Sequence, residues 1–326
     1  MRRRAFIAVL GGAAAWPLAG HAQQAERVRR VGVLMPFRKN DPLTQEFLTA
    51  FAQTLGRLGW VEGKNIRFDY YLAAGDPALL KTYTAELVGL AEDAILAQGS
   101  PVVAALQQLT RAIPIVFVGV GDPVGQGFVQ SLARPGGNIT GFSSPDAPLY
   151  AKWLQLLKEM APRVTRVAVI FEPDTSPAAI FNPAIAAAPS LGMTVTFAQV
   201  HDDAGIEEAI AAQAREPGGG LIEMPGGFTV THREVIAAAA ARHRLPLIGA
   251  YGVAGAGGLM SYWYDAVDAY AQAASYIDRI LKGISPADLP VQQPTKYSLI
   301  INLKTAKALG LTVPSSMLDL ADEVIE

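Results

Sequence analysis

Five junctions that open segments with helical patterning carry an Asp or Ser followed at once by Pro: Asp41-Pro42, Asp76-Pro77, Ser100-Pro101, Asp122-Pro123 and Ser176-Pro177. Each follows a short apolar run. The side-chain oxygen of such a residue accepts from the free N–H groups of a first helical turn, and Pro at the first position gives up a donor that has no partner there anyway. Strand, capped helix, strand again is the pattern of βαβ units, which forces a parallel sheet covered by helices. All such caps then lie at the carboxyl edge of a sheet, where open α/β sheets bind ligands.

Reading onward from Arg27, strands are predicted at 31–35, 66–70, 94–97, 115–118 and 139–142. A helix from Asp41 carries Phe47, Phe51, Leu55 and Leu58 on one stripe and ends at Gly59. Arg134, Pro135, Gly136, Gly137 and Asn138 then break the chain. The alternation restarts, with strands at 167–171, 195–200, 220–224 and 247–250. Helices are predicted at 150–160, after Ser176, at 206–215 and at 231–242. A Gly-rich turn precedes a strand ending at Tyr262, a long helix spans 266–282, and Pro-marked residues 288–294 lead to a strand at 298–302. A helix and a strand added after two complete halves imply that the chain crosses between lobes more than once. The fold class is therefore α/β, with two doubly wound Rossmann-like lobes.

The first residues stand apart. Arg2, Arg3 and Arg4 precede a small apolar stretch to Leu18, and Gly20-His21-Ala22 offers small residues for cleavage after Ala22. A signal peptide over 1–22 is expected, and Arg3-Arg4-Ala5-Phe6-Ile7 also fits the twin-arginine pattern. Its loss takes the formal charge from −2 to −5 through those three arginines, which leaves no basic footprint for nucleic acid. The sequence has no cysteine, which excludes disulfides and thiolate metal sites. A periplasmic location follows.

Charge separates the five caps. A helix N-terminus favours an anion, which an Asp cap already repels. Ser100 and Ser176 are the neutral caps, one in each half, and either could hold a ligand carboxylate. Asp122 or Asp265 is then available for an ammonium group. Aromatic residues gather at the same edges: Phe37, Phe228 after the Met224-Pro225-Gly226-Gly227 loop, Tyr251, and Tyr262-Trp263-Tyr264. Each offers flat apolar area with a polar edge.

Enzyme motifs fail in context. Gly119 to Val124 has Val at the third glycine position of a dinucleotide fingerprint, and the Gly-rich 251–258 run precedes a strand instead of a helix. His232 and His243 are eleven apart among Arg233, Arg242 and Arg244, which suggests a solvated helix face and neither a metal site nor a triad. No catalytic residue, cofactor or metal is expected.

Three stretches remain: Gly59 to Asn65, Asp122 to Gly125 with Ser131 to Gly141, and Ile300 to Leu311. In these the chain resembles the periplasmic substrate-binding proteins of ABC transporters, in the family with tryptophan- and tyrosine-type binding proteins. The resemblance implies a type I periplasmic-binding fold with three hinge crossings and a cleft ligand passed to a membrane permease. It also implies that Ser100, the loop at Gly121-Asp122, Ser143-Ser144 and the loop from Glu172 to Ser176 face the cleft. The chain departs from the family at Glu172, often Asn, and at Trp263-Tyr264-Asp265, commonly Gly-Pro-Asp. Lobe 1 is expected over 27–142 plus 263–290, and lobe 2 over 143–262 plus 291–326. The expected role is capture of an amino acid or small carboxylate-bearing compound by a monomer, for a permease with its ATPase. A sensor feeding a membrane receptor, or an exported α/β enzyme, are the alternatives. The expected contacts are Phe37, Ser100, Gly121, Asp122, Ser143, Ser144, Glu172, Ser176, Gly226, Phe228, Tyr251, Tyr262 and Asp265.

Overall fold

A computed structural model describes residues 27–145, 147–173 and 181–326. The leader over 1–22 and Ser176 lie outside the described residues. The first half runs β1 (Arg29–Met35), α1 (Pro42–Arg57), β2 (Ile66–Leu72), α2 (Pro77–Gly89), β3 (Ala94–Gln98), α3 (Ser100–Leu109), β4 (Ile115–Val120) and β5 (Ile139–Ser143). These strands form one parallel sheet in the order β2-β1-β3-β4-β5. β1 from Val31, β3 to Ala97 and β4 carry no charged or polar side chain because helices cover both faces, so Val31, Leu34, Ile95, Leu96, Val116 and Phe117 are fully buried.

The second half runs α4 (Pro148–Met160), β6 (Arg166–Phe171), α5 (Asn182–Ala187), β7 (Thr194–Gln199), α6 (Asp203–Ala214), β8 (Gly219–Glu223), α7 (Gly227–Thr231), α8 (Arg233–Arg242), β9 (Leu247–Gly249) and β10 (Met260–Tyr264). After it come α9 (Ala266–Leu281), β11 (Tyr297–Asn302), α10 (Leu303–Ala308), α11 (Ser315–Leu320) and β12 (Glu323–Ile325). The second sheet has the order β12-β11-β10-β9-β8-β6-β7, with β11 antiparallel to β10. β10 carries this sheet through Trp263 and Tyr264, two residues past the boundary expected from sequence.

α9 leaves the second sheet and packs on α1, β3, β4 and β5 of the first. Its Ala269, Ala273 and Ala274 are buried, and Tyr270 stacks on Phe47 of α1 at 4.8 Å. The chain therefore passes between the two sheets three times, after Ser143, after Tyr264 and before Tyr297, and the passages lie side by side. Ser143 N donates to Gln292 O at 2.8 Å, Gln292 N to Gly141 O at 2.9 Å, and Asp265 N to Lys296 O at 3.1 Å.

Three local expectations change. Leu58 belongs to no core stripe: it is the C-cap of α1 and 38% exposed. Asp122-Pro123 opens a turn instead of a helix, with Asp122 at φ +41° and its Oδ1 accepting from Gly125 N at 2.8 Å. Arg233 does not lie on a solvated face, since it is only 9% exposed.

Candidate functional site

Between the carboxyl edges of the two sheets lies a cavity of about 520 Å³. From the first half, Pro36 and Phe37 follow β1, Gln98 ends β3, Ser100 opens α3, and Gly121 and Asp122 follow β4. From the second half come Tyr150 of α4, Met224 to Gly227 after β8, Tyr251 after β9, and Trp263 of β10.

The floor is fixed by a hydrogen-bond chain. Tyr270 of α9 donates its hydroxyl to Gln98 Oε1 at 2.5 Å, which orients the amide of a side chain only 5% exposed. Beside Gln98, Tyr251 and Tyr264 join hydroxyls at 2.8 Å. Burial pushes the Tyr251 phenol up to about 12, against smaller opposing contributions from Tyr264, Trp263 and Gln98. Tyr251 also meets Phe37, Phe47 and Trp263 edge to face, with centroids 6.4, 5.9 and 5.7 Å away.

The N-terminus of α3 opens on the same space. Its N-cap is Gly99 at φ +83°, with no side-chain cap, so the backbone N–H groups of the first turn have no carboxylate on them. Ser100 is the first helical residue and not the cap. Its Oγ accepts from Gln126 Nε2 at 3.0 Å, leaving its hydroxyl proton free to be donated. The neighbouring helix α2 is closed by Asp76, which accepts from Ala78 N and Leu79 N.

Of the residues expected from sequence, Phe37, Ser100, Gly121, Asp122, Ser144, Gly226 and Tyr251 line the cavity. The other described ones lie elsewhere. Ser143 is a buried strand end on the first crossing, with Oγ 3.4 Å from Gln292 O. Glu172 is buried at the end of β6, 3.6 Å from His201 Nδ1. Phe228 turns away to stack on His232 at 4.0 Å. Tyr262 stacks on Tyr297 of the antiparallel neighbour at 5.9 Å. Asp265 caps α9 by accepting from Asp268 N at 2.9 Å. Gln98, Tyr150 and Trp263 line the cavity without having been expected as contacts. Trp263 and Gln98 sit beside residues that were, but Tyr150 carries no signal in its own sequence neighbourhood.

A family model for the ABC transporter substrate binding proteins matches residues 32–325. The chain belongs to this family. The tyrosine-binding protein of Clostridioides difficile is 26% identical over 271 residues, covering 80% of this chain and 75% of that protein. The crystal structure of a conserved domain protein from Vibrio cholerae is 29% identical, with TM-score 0.84 over 91% of this chain and all, 100%, of that one. An ABC domain from Streptococcus pneumoniae solved with L-Trp is 24% identical, with TM-score 0.83 over 91% of this chain and 99% of that one. The substrate-binding family captures solutes for ABC transporters and is not a catalytic one, so neither the enzyme nor the sensor alternative is favoured. Among the described residues no cluster of His, Cys, Asp or Glu could hold a metal ion, and no helix is long and apolar enough to cross a membrane.

Proposed function

We propose that this substrate-binding protein is exported by its first 22 residues and cleaved after Ala22. In this reading it serves as a monomer that hands an aromatic-compatible, zwitterionic amino acid or close analogue to an inner-membrane permease with its ATPase. The lobes are the two sheets with their helices, lobe 1 regaining α9 and lobe 2 regaining β11 to β12.

The observation that carries the ligand class is the charge of the cavity wall. Among the described residues it contains Asp76 and Asp122 and no Lys, Arg or His. A dicarboxylate or phosphate would lose its hydration with no cation to replace it. A single carboxylate fits the uncapped end of α3 beside Ser100, an ammonium fits Asp122, and an apolar body fits Phe37, Tyr150, Tyr251 and Trp263. The volume of about 520 Å³ is that of an ordinary small-molecule site. The relatives that bind tyrosine and L-Trp support this size and class.

The test is a thermal-shift panel on protein refolded free of co-purified solute. L-tyrosine, L-tryptophan or a related monocarboxylate should raise Tm, whereas dicarboxylates and phosphate should not. A dicarboxylate as the best ligand overturns the reading.

A further inference from the structure

Outside the cavity, at its lip, Asp41 and Arg233 meet across the two lobes. Arg233 Nη2 donates to Asp41 Oδ1 at 2.6 Å and Nη1 to Oδ2 at 2.8 Å, a paired geometry, and Nη1 also donates to Val230 O at 2.9 Å. Their side chains are 8% and 10% exposed. Asp41 lies in the β1–α1 loop of the first half and Arg233 starts α8 of the second, 192 residues apart in sequence. Neither lines the cavity.

The two halves also meet closely beside the pair. Gly75 has φ +81°, and a Cβ there would stand 3.3 Å from Gly227 O and 3.4 Å from Phe228 Cα of the facing lobe. Beside the ion pair, Arg38 Nη2 lies 3.3 Å from His232 Nε2, whose other ring nitrogen is 2.8 Å from Phe228 O. The closed form thus seats two charges where water is largely excluded, each with its charged hydrogen-bond partner on the facing lobe.

We propose that Asp41 and Arg233 are positioning residues for capture: they form an ion latch that sets the open–closed equilibrium, and through it the affinity for every ligand alike. This rests on the reading that the lobes open and close around the cavity. Whatever the intact pair is worth, losing one partner leaves the other buried and unpaired in the closed form, a cost that the open form relieves by rehydration. The single neutral variants therefore shift the population toward open. Apparent affinity falls in proportion to the closed-competent fraction, with selectivity unchanged, because neither residue touches the ligand.

The experiment uses Asp41→Asn and Arg233→Met, one variant from each lobe, and the double variant. Asn keeps an oxygen to cap α1, where Asp41 Oδ1 accepts from Leu43 N at 3.1 Å. Spin labels placed at Lys81→Cys on α2 and Ala238→Cys on α8, in a chain with no native cysteine, report interlobe distance in ligand-free protein. Each single variant should show a larger fraction of long distances than wild type, and the double variant a smaller fraction than either single. L-tryptophan and L-tyrosine, used as probes, should both bind each single variant about tenfold or more weakly, by one common factor. Distance distributions identical in wild type and both single variants overturn the latch. Unequal losses for the two probes, which would place the pair in ligand recognition, also overturn it. Longer distances in the variants, with neither probe binding any form, uphold the latch and reject the ligand class.

Discussion

The Tyr270 hydroxyl reaches Gln98 Oε1 at 2.5 Å, tying the helix that returns from the second sheet to the end of β3 under the cavity. With the oxygen occupied, the Gln98 amide nitrogen is left to serve the ligand or the floor. Tyr270→Phe keeps the 4.8 Å stack on Phe47 but releases the amide. The loss of a buried hydrogen bond should lower stability by about 1–2 kcal/mol and weaken ligand binding more than a surface substitution does. Urea unfolding and isothermal titration of the same preparation check both. Unchanged affinity would remove Gln98 from the site.

Trp263 is the indole on the cavity wall, whereas Trp153 is fully buried and Trp60 donates its indole N–H to Asp278 Oδ1 at 2.8 Å. A non-indole ligand such as L-tyrosine should therefore change fluorescence through Trp263. Trp263→Phe is expected to abolish the ligand-dependent change, and Trp60→Phe to leave it intact. A signal that follows Trp60 instead would mean that binding is read out far from the cavity.

The strands and the two Asp-capped helices α1 and α2 were legible because their signals are local: β-branched runs, and an Asp before Pro. The same logic found Phe37 and Tyr251, which follow strands at a carboxyl edge, while Gly121 came from the family resemblance. It failed where a partner distant in sequence decides. Phe228 and Tyr262 sit in aromatic loops like the true wall residues, but His232 and Tyr297 claim their rings. Arg233 read as one of several helix arginines, and nothing near it announces Asp41. Gln98 acquires its place from Tyr270, 172 residues away. β12 is three residues long, too short for an alternating pattern, and exists because β11 offers it a parallel edge.

Gly141 sits where the first and third crossings are joined, and a Cβ there would fall 2.1 Å from Phe117 O and 2.6 Å from Phe117 N at φ +153°. Both contacts are backbone in a central sheet and cannot yield. Gly141→Ala should cost about 2–4 kcal/mol in urea unfolding, among the larger values for a single substitution. Gly137→Ala is the control, because nothing lies within 4 Å of its Cβ position, and should stay within about 0.5 kcal/mol of wild type.

Glu223 ends β8 with 0% exposure, directly before Met224 of the cavity wall. Its Oε2 accepts from Ala250 N at 3.3 Å, and its Oε1 has no hydrogen-bond partner. Burial pushes this carboxyl from 4.5 up to about 7, more than Thr229, Ala250 and the charge of Arg233 draw it back. Between those values the native state holds a proton that the unfolded chain has released, so stability falls as pH rises through the window, by at most about 1.4 kcal/mol per pH unit. Glu92, also raised to about 7 chiefly by burial, contributes in the same direction at the far end of the first sheet. Substituting Glu223 alone separates the two. Glu223→Gln should match wild type near about pH 5, where both side chains are neutral, and exceed it by about 1–3 kcal/mol near pH 8, where wild type must bury a carboxylate or reorganise. Urea midpoints across that range measure the gap, and a gap that does not change with pH would show that Glu223 has the same charge throughout.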